Sequence, residues 1–85
     1  MAATLRVKLR PLQKQLDHTE AEMATVSQNL QALREQLGDA DLYTDQARKH
    51  TLADLLKREG ELKIRALELD DIWLDQQQTL EELSR

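Results

Sequence analysis

The sequence contains no cysteine and no phenylalanine, and it has only one proline, one tryptophan, one tyrosine and two glycines among 85 residues. Without cysteine the chain forms neither a disulfide nor a thiolate metal site. So few glycines and prolines disfavour an all-β or loop-rich fold. Hydrophobic residues make up 40% and aromatic residues 2% of the chain, so bulky side chains for a compact globular core are scarce. Charged residues reach 33%, a balance typical of long helices and coiled coils.

Long hydrophobic runs are also missing. No run approaches the roughly 20 apolar residues that a membrane-spanning helix needs. The basic N-terminus "MAATLRVKLR" lacks the apolar segment of a secretory signal peptide. We therefore expect one small domain at most, located in the cytoplasm.

Two apolar stripes with heptad spacing dominate the chain. Their members alternate three and four residues apart through residues 5–37 and again through residues 52–83. The polar members are Thr19 in the first stripe and Glu59 and Gln76 in the second. This spacing gives each helix a narrow apolar face directed at a partner helix.

The segment "LGDADLYTDQARKH" separates the two stripes. Gly38 follows the last leucine of the first stripe, where a helix often ends on a glycine in the left-handed conformation. Thr44 or Asp45 can cap the N-terminus of the next helix. A connection of this length is short enough for the second helix to fold back on the first.

The predicted fold is therefore all-α, an antiparallel two-helix coiled-coil hairpin forming a single domain. We place helix 1 at about 5–37, the loop at about 38–46 and helix 2 at about 47–84, and we expect the chain to be a fragment of a larger protein. Pro11 is tolerated only in a first turn or at a kink, so either helix 1 starts near Leu9 or a short helical segment precedes a bend.

The register of the two helices is predicted from flanking charges. One register places Glu22 near Arg65 and Glu20 near Lys63, and both pairs are favourable. A shift by one heptad brings Glu20 near Asp70, which is repulsive, so we predict the first register, although each surface pair contributes at most about 1 kcal/mol. Its apolar pairs include Leu5 with Leu80, Leu12 with Trp73, Leu16 with Leu69 and Leu33 with Leu52.

No motif for catalysis, cofactor binding or metal binding is found. Neither glycine has the context of a phosphate-binding loop, and His18 and His50 are expected on helix surfaces without a cleft. The acids of "GDADLYTD" resemble a calcium loop, but Tyr43 and Thr44 stand where an oxygen ligand and a glycine are needed. We predict a domain that is not an enzyme.

Cations are concentrated at two places, residues 1–16 and the start of helix 2, whereas residues 68–85 are strongly acidic. One interpretation is that the basic and acidic ends of the hairpin complement each other. The other is a contact with phosphate groups, although the net charge of -4 opposes strong, autonomous nucleic-acid binding. The candidate contact residues are Arg48, Lys49, Lys57, Arg58, Lys63 and Arg65.

Apolar residues also lie off the predicted seam of helix 2. Ile64, Leu67 and Leu74 are accompanied at the flank by Leu56 and Ile72. They are either scattered aliphatic residues, partly covered by helix 1, or a second interface for self-association or a parent protein.

Three segments carry a resemblance to a known family. "RPLQKQL" with Pro11, "LGDADLY" with Leu42 and Tyr43, and "IWLDQQQTLEEL" with Trp73 and Leu80 resemble the C-terminal coiled-coil domain of bacterial ABC-F ATPases. The resemblance is to the YheS-like branch and, more distantly, the Uup-like branch.

The resemblance implies a parent protein with two cassettes that bind ATP and Mg²⁺, a role at the ribosome and, in the Uup-like branch, DNA binding. This chain would then be a non-catalytic accessory domain that contacts ribosomal RNA or protein, or DNA. The alternative is a structural homo-oligomerisation coiled coil. In either case we expect Leu42 and Tyr43 to fold the loop back as an apolar plug over Leu37 and Leu52.

Overall fold

The computed structural model describes the backbone of residues 2–84 and the side chains of residues 7–84. The predicted all-α class is confirmed, and no strand occurs in this part of the chain. The predicted contact of Leu5 with Leu80 lies outside the described side chains. The elements are α1 (Ala2–Leu37), α2 (Asp41–Thr44), a 3-10 turn (Gln46–Arg48) and α3 (Lys49–Ser84).

The molecule is elongated, with extents of 67 × 15 × 14 Å and a radius of gyration of 19.2 Å. A compact domain of this length would have a radius of gyration of roughly 12 Å. Each long helix has 36 residues, which corresponds to about 54 Å at the normal helical rise. The length of the molecule therefore comes from the two long helices, and no second layer packs on them within residues 2–84.

Burial follows the two heptad stripes. The buried apolar side chains are Leu16, Val26, Leu33, Leu37 and Leu69 from the stripes and Leu42 from the connection. Every other described stripe residue is buried or half-buried except Leu83. Contacts between α1 and α3 thus involve the residues that the spacing selects, because only these faces escape water.

Specific contacts fix how α1 and α3 lie against each other. Trp73 donates its indole N–H to Glu20 at 3.1 Å, and Arg34 forms an ion pair with Glu59 at 3.8 Å. Residues early in α1 therefore meet residues late in α3, and the reverse.

The predicted register is wrong. Trp73 lies at the level of Glu20, which is about 12 Å along the helix axis from its predicted partner Leu12. Glu20 was expected near Lys63, but it accepts the indole hydrogen bond instead. A shift of this kind leaves apolar residues opposite apolar residues, because a heptad seam repeats itself.

The ends of the helices also differ in detail from the prediction. Pro11 lies inside α1, so helical residues precede it and the helix does not begin near Leu9. No glycine within residues 2–84 has a positive φ, so the predicted left-handed end at Gly38 is wrong. The Gly38 N–H instead donates to the Arg34 carbonyl at 3.0 Å, a bond that continues the helical pattern.

The connection is more ordered than a plain loop because two aspartates cap its turns. Asp39 Oδ1 accepts from the backbone N–H of Asp41 at 3.0 Å, where α2 begins. Asp45 Oδ1 accepts from the N–H of Ala47 at 2.9 Å and so caps the 3-10 turn that leads into α3. Asp45 therefore takes the capping role considered for it, through the 3-10 turn.

Candidate interaction surfaces

The polar members of the stripes find partners inside the seam. Thr19 is buried, and its hydroxyl donates to Gln76 Oε1 at 2.7 Å, while the Gln15 carbonyl lies 3.0 Å away. A buried hydroxyl without a partner would cost about 1–3 kcal/mol. The Thr19–Gln76 contact therefore makes one polar layer compatible with an otherwise apolar seam.

Glu59, the other polar member of the second stripe, is held between two cations. Its side chain is 19% exposed, with Arg34 of α1 at 3.8 Å and Lys63 of α3 at 3.5 Å. A carboxylate at a seam position needs such partners because partial burial removes much of its hydration.

Arg65 connects the two long helices at their edge. Its Nε donates to Glu22 at 2.6 Å, and its Nη1 donates to Glu68 at 3.1 Å. Glu68, followed by Glu22, raises the pKa of Arg65 through these hydrogen bonds, so the guanidinium stays charged. The predicted proximity of Glu22 and Arg65 is thus observed, although in a different register.

The end near the connection is closed by Leu42 and Tyr43 in different ways. Leu42 is buried, as the plug prediction requires. Tyr43 is 59% exposed, so its ring is not part of an apolar plug. Its hydroxyl instead donates to the Leu37 carbonyl at 2.7 Å, which satisfies a carbonyl that the end of α1 leaves without a helical partner.

The six candidate phosphate contacts fall into two groups. Arg48 is paired with Asp39 at 3.6 Å and with Asp45 at 3.7 Å, and Lys63 and Arg65 have the partners given above. Among the side chains of residues 7–84, no carboxylate lies within 4.0 Å of the other three cations. These three, all exposed, are Lys49, Lys57 and Arg58, and we call them the loop-end cations.

Ile64, Leu67 and Leu74 are exposed, with fractions of 59%, 66% and 50%, although Leu74 lines a hollow beside Met23 of α1. The seam does not use them, and α1 does not cover them. Because their spacing of three and seven residues keeps them on one side of α3, they form a short apolar strip on the outer face of that helix. Leu56 and Ile72 are also exposed.

The hollows along the seam are open grooves. One lies where the small Ala66 faces Met23, Val26 and Leu30. In the part of the chain that is described, no group of three or more histidine, aspartate or glutamate side chains could hold a metal ion. Within the same residues no helix combines the length and apolarity needed to cross a membrane.

Compared with protein-family models, curated proteins and solved structures, the chain gives no match.

Proposed function

We propose that the chain is an antiparallel two-helix coiled-coil hairpin that serves as a non-catalytic accessory domain. Three cross-helix contacts support this fold: Glu20 with Trp73, Arg34 with Glu59, and Thr19 with Gln76. In each case the stripe of α1 or its immediate neighbour meets the stripe of α3, as in a coiled-coil seam.

The function that fits this form best is contact with the ribosome or a nucleic acid, as part of a cytosolic ABC-F ATPase. The observation that carries the proposal is the group of loop-end cations, Lys49, Lys57 and Arg58, which are exposed without an acidic partner among residues 7–84. They lie towards one end of a molecule 67 Å long. The two helices would act as a spacer that carries these charges to a phosphate surface.

Three of the six cations predicted to contact phosphate already have partners. Arg48, Lys63 and Arg65 are engaged with carboxylates of their own chain, and a phosphate would have to replace those partners. The contact is therefore assigned to the loop-end cations alone.

The test replaces Lys49, Lys57 and Arg58 together by glutamate and measures binding to purified ribosomes by co-sedimentation and to duplex RNA and DNA by fluorescence anisotropy. We expect binding to fall at least about tenfold, and the salt dependence of wild-type binding to correspond to about three phosphate contacts. The matched control replaces Lys8, Arg10 and Lys14, at the opposite end, with the same change in charge. Unchanged binding in the first variant, or equal losses in both, would contradict the assignment.

A second candidate is homo-oligomerisation through Ile64, Leu67 and Leu74, because their exposure leaves an apolar strip without a partner. Sedimentation equilibrium of the 85-residue chain over a wide concentration range tests it. A mass that rises with concentration in the wild type, and not after Leu67→Ser, supports this candidate, and a constant monomer mass argues against it.

A further inference from the structure

An unbroken row of acids runs beside the apolar strip of α3. It consists of residues exactly one heptad apart, and every one is exposed. Residues at this spacing lie almost on one line along a helix. This line adjoins Ile64 of the apolar strip, whereas Leu67 lies about 100° further round the helix. We call this set the acidic row, and its members are Asp54, Glu61, Glu68, Asp75 and Glu82.

The charges of the acidic row are mostly not used within the chain. Glu68 pairs with Arg65 at 3.1 Å. Among the side chains of residues 7–84, the other four acids have no cation within 4.0 Å. Glu68 supports the Arg65–Glu22 contact between the helices, but the other four acids form no ion pair with α1 among these side chains.

We propose that the outer face of α3 binds a basic amphipathic helix of another protein, which packs as a third helix on the hairpin. Its apolar residues would cover Ile64, Leu67 and Leu74. Lysine or arginine residues at heptad spacing on its flank would face the acidic row. An apolar strip with charges of one sign along one edge is an arrangement by which coiled coils select a partner with opposite charges at the facing edge.

A second copy of this chain fits the same face poorly. In an antiparallel pair, the flanking row of one helix faces the same row of the other, so Glu61 and Glu68 would meet acids. In a parallel pair the acidic row of one copy faces the other edge of the strip on the second copy. At that edge Lys63 would attract the acids, but Asp70 would repel them. The acidic row thus disfavours self-association by like-charge repulsion, and it also repels a phosphate backbone.

The binding test uses two designed peptides of about three heptads with identical leucine seams, one carrying lysine and the other glutamate at the flanking positions. Each is titrated into the 85-residue chain by isothermal titration calorimetry. We expect the lysine peptide to bind at least about tenfold more tightly than the glutamate peptide, with an advantage that shrinks as NaCl rises from about 50 mM to about 500 mM.

Two variants and a matched control test where the peptide binds. Leu67→Ser should weaken lysine-peptide binding at least about fivefold while leaving the helical circular dichroism unchanged, because this side chain is 66% exposed. The double variant Glu61→Lys with Asp75→Lys should reverse the preference towards the glutamate peptide. The control with the same charge change on the outer face of α1 is Asp17→Lys with Glu35→Lys, which should leave the preference in place.

The proposal is overturned if both peptides bind equally or not at all, or if the α1 control lowers binding as much as the α3 variant, which would indicate attraction by net charge alone. It is also overturned if the unmodified chain dimerises through Leu67 in sedimentation, because the occupant of the strip would then be a second copy. None of these outcomes depends on the loop-end cations, so the proposed ribosome or nucleic-acid contact stands or fails separately.

Discussion

Leu69 and Leu67 allow the importance of the seam to be measured with two identical substitutions on one helix. Leu69 is 2% exposed and Leu67 is 66% exposed, and both lie in the middle of α3. Replacing either with alanine changes the intrinsic helix propensity by the same small amount. The difference between the two variants therefore reports burial.

Removal of a fully buried leucine loses its transfer free energy of about 1.5–3 kcal/mol, and a residual cavity brings the usual cost of Leu→Ala to about 2–5 kcal/mol. The molecule is thin, so neighbouring side chains can partly fill the space left by Leu69, and we expect a loss of about 2–3 kcal/mol. Leu67→Ala should cost less than about 0.5 kcal/mol, as most exposed substitutions do.

Urea unfolding followed by circular dichroism at the helical minimum is the assay. With a denaturant dependence of about 1 kcal/mol per molar urea for a small protein, Leu69→Ala should lower the midpoint by about 2–3 M. A molecule whose two long helices share a single seam is only modestly stable, so we expect this variant to be partly unfolded even without urea. Equal midpoint shifts for the two variants would refute the view that the α1–α3 seam stabilises the molecule.

Two further tests address the register and the polar groups of the seam. Val26 and Ala66 line one groove, so cysteines replacing them should readily form an intramolecular disulfide under mild oxidation. Cysteines replacing Thr19 and Ala66 should not form one. The reverse result would support the register predicted from charges. The side-chain oxygen of Gln77 is buried without a hydrogen-bond partner among the described residues. Gln77→Leu should therefore raise the free energy of unfolding by about 1 kcal/mol. A loss of stability in the same urea assay would contradict that interpretation.

Flanking charges failed to predict the register for an instructive reason. Glu22 and Arg65 were used in favour of the wrong register, yet they are paired at 2.6 Å in the observed one, because their long side chains reach across about one helical turn. Glu20, whose repulsion by Asp70 counted against the heptad shift, accepts a hydrogen bond from the indole of Trp73, so its carboxylate has a favourable partner in the observed register. Surface pairs worth less than about 1 kcal/mol are too weak, and too adaptable, to select between registers.

The acidic row, unlike the register, can be recognised from the amino-acid sequence alone, because its members repeat at a fixed spacing. Its five acids, Asp54, Glu61, Glu68, Asp75 and Glu82, recur every seven residues. The row could have been found by applying the heptad count to charges as well as to leucines. Its relation to the exposed Leu67, and the scarcity of cations beside it, depended on where α1 lies.

The two long helices, their apolar faces and the interruption after Leu37 could be predicted from the amino-acid sequence, because they depend on local preferences and on a spacing that can be counted. The sequence also identified Thr19, Glu59 and Gln76 as the polar seam positions. The partners of these residues, the register, and the pairing of cations with carboxylates became visible once α1 and α3 were placed against each other. A heptad repeat looks the same after a shift of seven residues, so the register depends on side-chain contacts between helices that the spacing does not encode.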